Sequence, residues 1–200
     1  MRRSFLLLTL TLSLSQTALA QQAPQFDASV TGNAVTQDAK AEQASHKISE
    51  LITRKFGVAR AKAETIAAAV MNSASKYSLP PALLLAIISI ESRFKETARG
   101  PNNATGLMQV VPSAHKTLVR NKDLTDAEDN IDAGSAILHG YLKSAQGDID
   151  AALKNYGGSY AYAEKVSLRV KSFESAAASS AVATVGQQFP SEYPCALTHQ

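Results

Sequence analysis

A nearly unbroken apolar run that ends in a single carboxylate decides how this chain folds: residues 83–94 read LLLAIISIESRF. Leu84, Ile87 and Ile88 lie seven, four and three positions before the carboxylate of Glu91, so a helix would bring them onto its face. Aliphatic neighbours deprive a carboxylate of hydration and disfavour its charged form, which raises its pKa. The run therefore predicts a buried helix whose last turn carries a carboxyl group suited to general acid catalysis near neutral pH.

The same spacing allows a purely structural interpretation of Glu91. The residue lies near the end of the predicted helix, where its side chain would reach water or pair with Arg93 or Lys95. Structural carboxylates are common at such positions, so the pattern alone leaves both interpretations open.

The first twenty residues have the features of a secretory signal peptide. Arginines stand at positions 2 and 3, residues 5–14 are mostly apolar, and residues 18–20 read ALA before Gln21. The apolar stretch is shorter than a membrane span, although an uncleaved anchor remains the alternative. No cysteine follows the predicted cleavage site, so a lipid anchor has no support. We expect a periplasmic or secreted protein without a stable membrane anchor.

The rest of the chain predicts one domain with two poorly structured ends. Residues 21–43 are rich in Gln, Ala, Thr, Asn and Asp and predict a flexible leader. Residues 44–176 predict the folded domain, and residues 177–200 predict a poorly ordered tail of low complexity. Loss of residues 1–20 would lower the formal net charge from +3 to +1. That balance does not favour a nucleic-acid partner or a polybasic membrane surface.

Cysteine and histidine usage gives no indication of a disulfide or a metal. The one cysteine, Cys195, lies in the predicted tail, so we expect a free thiol, with pairing to another chain as the alternative. The four histidines lack the spacing of metal ligands. We expect a monomer without metal or cofactor.

Helical periodicity runs through the middle of the chain. The predicted helices cover residues 45–55, 59–77, 112–120, 126–144, 149–156 and 160–176, together with a helix that Pro80 and Pro81 open and that contains Glu91. Glycine, proline and asparagine predict a loop over residues 96–105. No strand pattern is convincing. The fold class is therefore all-α, with at most a minor hairpin.

Four ordered motifs resemble the soluble lytic transglycosylase family. They are ESRF at 91–94, GLMQV at 106–110 followed by Pro112, NI at 130–131 with Gly134 and Leu138, and ALKNYGG at 152–158. The glycine of the second motif follows the acid by fifteen residues, as in the family. The resemblance covers residues 80 to about 166. It implies a lysozyme-like domain that cleaves peptidoglycan glycan strands.

The resemblance also implies roles for individual residues. Glu91 would be the catalytic acid, supported by Tyr156 beside it and by Ser92. The residues implied to line the glycan groove are Gly106, Leu107, Met108, Gln109, Asn130 and Asn155, with Gln109 bonding a sugar and Asn130 fixing the loop.

The residue types themselves leave other roles open. A methionine such as Met108 is more often a core residue than a ligand contact. Gln109 is either a structural cap or a ligand group, because a polar amide within an apolar stretch needs partners. Tyr156 would otherwise be a helix-end aromatic, and Asn130 a helix N-cap.

Two positions depart from the family pattern. Gly100 stands where the family commonly has a serine, nine residues after the acid, and Gly157 stands where an asparagine often follows the tyrosine. That serine is usually assigned a part in orienting substrate or water. Its absence puts in doubt the efficiency of the second reaction step, which follows proton donation by the acid, and does not affect the identity of the acid.

Only one carboxylate is a good catalytic candidate, which fits the family's single-acid chemistry. Glu96 would point away from Glu91, and the acids between 123 and 132 predict a solvated face or a helix N-terminus. The family chemistry yields 1,6-anhydro ends on N-acetylmuramic acid. The alternatives are a hydrolytic muramidase of goose-lysozyme type and a glycan-binding scaffold of an envelope-spanning machine. Components of a secretion, conjugation or pilus apparatus are candidate partners.

Overall fold

The computed structural model describes the backbone of residues 28–185 and the side chains of residues 39–176. Within these residues every long element is a helix, as the periodicity predicts. The helices are α1 Ala28–Phe56, α2 Arg60–Tyr77, α3 Pro81–Glu91, α4 Lys116–Val119, α5 Ala127–Ser144, α6 Ile149–Gly157 and α7 Tyr160–Val185, with one short 3₁₀ turn at Pro101–Asn103. Extended pairing among the described residues is limited to two isolated bridges, which join Thr105 to Arg99 and to Val110. The all-α prediction is confirmed.

Helix α3 carries the centre of the core. Pro81 occupies its first turn, where a missing N–H costs nothing, and all residues from Leu83 to Ser89 are buried. Helices α2 and α7 pack against it, and α5 joins the assembly through α2 and α6. The largest fully buried side chains include Ile52, Ile66, Val70, Ile131, Leu138, Leu153 and Phe173. A helix buried along most of its length gives Glu91, its last residue, a fixed position.

The starts of α5 and α6 are set by aspartate caps. The Asp126 carboxylate accepts hydrogen bonds from the N–H groups of Glu128 and Asp129, and Asp148 does the same at the start of α6. The alternative role of Asn130 as an N-cap is therefore wrong, since Asp126 holds that place.

The predicted bounds of the first and last helices are wrong, whereas the domain limits of 44–176 stay a prediction. Helix α1 begins at Ala28, within the predicted leader, and α7 continues to Val185, within the predicted tail. Both extensions contain alanine and no proline, so a helix that has already formed continues at small cost per residue. The predicted signal peptide, the start of the leader and Cys195 lie outside the described residues.

The predicted helix over residues 112–120 is much shorter than expected. Single turns join Val111 to Ala114 and Pro112 to His115, and the helix covers only Lys116–Val119. His115 has φ −129° and ψ 36°, outside the helical region, and its half-buried ring meets the edge of Tyr141. This contact holds the chain in a conformation that interrupts the helical pattern.

Candidate active site

Glu91 lies half-buried at the carboxyl end of α3, where the chain turns sharply away. Arg93 and Phe94 both adopt positive φ, at 53° and 64°. Phe94 is buried, with its ring centroid 4.5 Å from that of Phe56, which anchors the turn. Glu91 makes no ion pair with Arg93 or Lys95 in the described structure, so the structural interpretation of this carboxylate gains no support.

The direct partner of Glu91 is Tyr162 on α7. The Tyr162 hydroxyl donates a hydrogen bond to Glu91 Oε1 at 2.5 Å. Its ring lies against Gly157, where an added Cβ would overlap the ring atoms. The departure from the family pattern at Gly157 thus leaves the space that this tyrosine occupies.

The sequence analysis assigns the tyrosine beside the acid to Tyr156, whereas the hydrogen bond to Glu91 comes from Tyr162. The Tyr156 hydroxyl donates to the Met108 carbonyl oxygen at 2.9 Å. Burial and the nearby charge of Glu91 raise the pKa of Tyr156, so this tyrosine also lies close to the acid, and its role in positioning Glu91 stays a prediction. The sequence does contain an indication of Tyr162, because this residue shares one helix face with Val166 and Phe173, which are both buried. A tyrosine hydroxyl on a buried face needs a partner, and Glu91 is the charged acceptor that the apolar run of α3 offers.

Burial raises the pKa of the Glu91 carboxyl, as the sequence predicts. The hydrogen bond from Tyr162 and the positive charge of Lys165 act in the opposite direction and offset part of this effect. Burial also raises the pKa of Tyr162, so its hydroxyl remains a donor at neutral pH. The site can therefore hold Glu91 protonated and still stabilise its carboxylate form.

Asn130 joins three backbone segments. Its Nδ2 donates to the carbonyls of Thr105 and Leu124 at 2.8 and 2.9 Å, and its Oδ1 accepts from Met108 N at 2.8 Å. Gly106 has φ +80° and passes so close that a Cβ would overlap the Asn130 amide. Asn130 fixes the loop, as the resemblance implies. With 1% exposure it has no surface for a substrate, so its assignment to substrate binding is wrong.

Leu107 and Met108 are core residues. Both are fully buried, and a Cβ on Gly134 of α5 would come within 2.6 Å of the Met108 sulfur. Their side chains therefore offer no surface to a glycan in this structure, and a contribution of their backbone to the groove stays a prediction. Gly106 is also buried. An apolar pair at the start of a loop can point inward or outward, and sequence spacing does not separate the two directions.

Ser92 supports the end of the helix that carries Glu91. Its buried hydroxyl donates to the Ile88 carbonyl at 3.2 Å. Support of the acid through this helix end stays a prediction.

Gln109 uses its side chain within the loop. Its Nε2 donates to the carbonyls of Ala98 and Gly106 at 3.2 and 3.0 Å, which supports the structural alternative, while its predicted bond to a sugar stays a prediction. Asn155 is exposed on α6, and its predicted contact with the glycan stays a prediction.

Comparison with known proteins identifies the domain that carries this site. Residues 68–178 match the family model described as the transglycosylase SLT domain. The chain belongs to the transglycosylase SLT family. The resemblance drawn from the four sequence motifs is confirmed, and the match contains both Glu91 and Tyr162.

The chain spans about a third of the length of the curated relatives that it matches. Proteins named membrane-bound lytic murein transglycosylase C from Yersinia pestis (strain Pestoides F) and Yersinia pseudotuberculosis serotype O:1b (strain IP 31758) are 35% identical over 106 residues. These matches cover 44% of this chain and 30% of each relative. An X-ray structure of an inactive mutant of the lytic transglycosylase Slt from Pseudomonas aeruginosa aligns with TM-score 0.43 and 25% identity. It covers 49% of this chain and 17% of that one.

Four of the other candidate carboxylates have structural partners. Glu96 pairs with Lys62. Asp129 and Asp132 both bind Lys122. Burial acts to raise the pKa of Asp132, but its hydrogen bonds to Lys76, Lys122 and Tyr77 outweigh burial and lower this pKa to about 2. Asp129 and Asp132 lie in the first half of α5 and Asp126 caps its start, which agrees with the helix N-terminus that the polar pattern predicts.

Neither a metal centre nor a membrane span is found in the part of the chain that the structure describes. Its side chains form no cluster of three or more His, Cys, Asp or Glu placed to hold a metal ion. Within the same residues, no helix combines the length and the apolar character that crossing a membrane requires.

Proposed function

We propose that this protein is a lytic transglycosylase that cleaves the β-1,4 bond between N-acetylmuramic acid and N-acetylglucosamine in peptidoglycan. The observation that carries the proposal is the environment of Glu91: a half-buried carboxyl group with a raised pKa, bonded to Tyr162, in the domain that defines the family. An acid of this kind can be protonated when substrate arrives and ionised after the proton has left.

The proposed reaction uses Glu91 twice. Protonated Glu91 gives its proton to the glycosidic oxygen, the bond from that oxygen to C1 of the muramic residue breaks, and C1 gains oxocarbenium character. The Glu91 carboxylate then removes the proton from the C6 hydroxyl of the same sugar while O6 forms a bond to C1. The product is a 1,6-anhydro end, and Glu91 regains its proton.

Tyr162 has a defined part in this sequence as a positioning residue. Its hydrogen bond favours the charged form of Glu91, which exists between the two proton transfers. Burial favours the neutral form, which the first transfer needs. The two influences keep both states of Glu91 accessible.

The partners of four other carboxylates favour an internal nucleophile over water. Hydrolysis at a sugar C1 normally needs a second carboxylate, about 5–10 Å from the first, as nucleophile or base. Glu96, Asp126, Asp129 and Asp132 are occupied by a lysine or by a helix N-terminus in this structure. A sugar hydroxyl that attacks from within the substrate removes the need for a second acid.

The proposed location is the periplasm. Residues 1–20 read as a signal peptide, and the similar Yersinia proteins are named as membrane-bound murein transglycosylases. Peptidoglycan glycan strands are the proposed substrate. A component of a secretion, conjugation or pilus apparatus is a proposed partner on the family resemblance alone.

Mass spectrometry of peptidoglycan digests tests the proposal. Residues 21–200 should release muropeptides with an anhydro end, one water lighter than the hydrolysis product, and Glu91→Gln should release none while remaining folded. Reducing ends would show that water is the nucleophile. If the folded native protein releases no product, the scaffold role replaces the enzymatic one.

A further inference from the structure

A partly open groove lies at the start of α3, the end of this helix that is remote from Glu91. Its volume is about 400 Å³, within the range of ~300–1,000 Å³ that is usual for binding pockets. Four helices supply apolar side chains to its walls: Ile48 and Leu51 from α1, Met71 from α2, Leu85 from α3 and Phe173 from α7. The groove thus presents an apolar surface that is large enough to receive several side chains of a partner.

The groove is separate from the candidate active site. Pro81 lines it, and Glu91 stands ten residues further along α3, which corresponds to about 15 Å of helix. A segment bound in the groove would therefore leave the acid accessible.

Two lysines on α1 give the rim of the groove a positive charge. Lys40 is exposed and Lys47 is half-buried, and neither forms an ion pair among the described residues. Glu174 is the one acid among the described lining residues, so a net positive charge remains. An ammonium group beside apolar side chains has lost part of its hydration and is stabilised by a carboxylate partner.

The predicted tail contains a segment with the complementary pattern. Residues 189–197 read FPSEYPCAL, in which the large apolar side chains of Phe189, Tyr193 and Leu197 recur every four residues. Glu192 is the one acid of the predicted tail, and two prolines restrict the backbone, which lowers the entropy lost when the segment becomes ordered. The tail has too few large apolar residues to form a core of its own, so these side chains can be buried only against another surface.

The segment is tethered close to the groove. Helix α7 contributes Glu174 to the lining and ends eleven residues later at Val185, about 16 Å further along the helix axis. Residues 186–192 span up to about 23 Å when extended, so Glu192 can return to the groove. A short tether of this kind gives an effective concentration on the order of millimolar, which favours the segment of the same chain over one from a second copy.

We propose that residues 189–197 dock in this groove of their own chain, with the Glu192 carboxylate paired with the Lys47 ammonium. The apolar side chains of the segment then cover the groove walls, and the lysine gains the carboxylate partner that no described residue provides. The docked segment attaches the tail to the domain at the end of α3 opposite to Glu91. This inference does not depend on the proposed function, because it concerns neither the acid nor the substrate.

Disulfide trapping with the native Cys195 tests the docking. In residues 21–200, Gln43→Cys places a second thiol on the exposed rim of the groove, one helical turn from Lys47. Oxidised glutathione should then link positions 43 and 195 within one chain, which mass spectrometry of a non-reduced digest detects. Thr117→Cys is the matched control, because Thr117 is also exposed and lies on α4, which does not line the groove. The effective molarity of the 43–195 disulfide should exceed that of the 117–195 disulfide roughly tenfold, and equal values would overturn the proposal.

Charge reversal tests the ion pair. Glu192→Lys changes the predicted tail and not the folded domain, and it should lower the effective molarity of the 43–195 disulfide about two- to fivefold, the size expected of one partly exposed ion pair. Adding Lys47→Glu should restore it, because the pair then forms in the opposite sense. An unchanged effective molarity in Glu192→Lys, or no recovery in the double variant, would refute the pairing. Disulfide-linked dimers in place of the linked monomer would show that the groove binds the segment of a second copy and would refute docking within the chain.

Discussion

Replacing Tyr162 by Phe removes one hydroxyl from the site and keeps the ring. The hydroxyl donates to Glu91 Oε1 at 2.5 Å, and a hydrogen bond to a charged group contributes about 1.5–3 kcal/mol. This bond favours the carboxylate, so its loss raises the pKa of Glu91 above its already raised native value. If the carboxylate is needed for the second proton transfer, kcat/KM should fall roughly 10- to 150-fold, because a loss of about 1.5–3 kcal/mol in transition-state stabilisation corresponds to that factor.

The pH profile gives the sign of the effect. The first step needs protonated Glu91, so activity should fall as pH rises through the pKa of this group. In Tyr162→Phe that alkaline limb should move to higher pH. The assay is the initial release of soluble muropeptides from purified peptidoglycan over a series of buffers at constant ionic strength.

Tyr160→Phe is the control for this change. Tyr160 lies on the same helix with 64% exposure, so its hydroxyl is available to water. Its loss should leave rate and pH profile unchanged. A Tyr162→Phe profile with an unmoved limb, or with a limb at lower pH, would refute the reasoning about Tyr162.

Three further predictions concern stability. Burial raises the pKa of Glu91 in the folded protein, so the stability that protonated Glu91 contributes is complete below its unfolded-state pKa and is lost as pH rises through its folded-state pKa. Glu91→Gln should abolish this pH-dependent loss. Measured as Tm against pH, the variant should gain on the native protein as pH increases. Asn130→Ala should lower the free energy of unfolding by roughly 2–4 kcal/mol in urea titrations, since it leaves buried backbone groups unpaired, and a loss below about 1 kcal/mol would contradict its place in the loop. Ser135→Ala should be neutral or stabilising by up to about 1 kcal/mol, because the Ser135 hydroxyl is fully buried without a partner in the described residues. Ser89→Ala is the control: it removes a hydroxyl that is hydrogen-bonded, so it should not stabilise the protein.

The acid and its helix could be predicted from sequence because both depend on local pattern. The apolar spacing before Glu91 determines which face it shares, and Pro80 and Pro81 mark where the helix starts. Burial then raises the pKa through a general property of carboxylates that needs no detailed geometry.

The partners of the acid could not be predicted in the same way, because they depend on how helices pack. Tyr156 and Tyr162 lie six residues apart on either side of a glycine turn, and only the packing of α7 on α3 decides which hydroxyl meets Glu91. The inward direction of Met108 depends on the space at Gly134. The predicted lengths of α1 and α7 are too short for a different reason, since low apolar content predicts disorder where helix propensity is in fact sufficient.

Digestion of peptidoglycan in water enriched in heavy oxygen tests the central claim most directly. If the C6 hydroxyl of the sugar attacks C1, the newly formed ends will be anhydro sugars that carry no heavy oxygen, and Glu91→Gln will form neither product. New reducing ends that carry heavy oxygen at C1 would contradict the account, because water and not the substrate would then be the nucleophile.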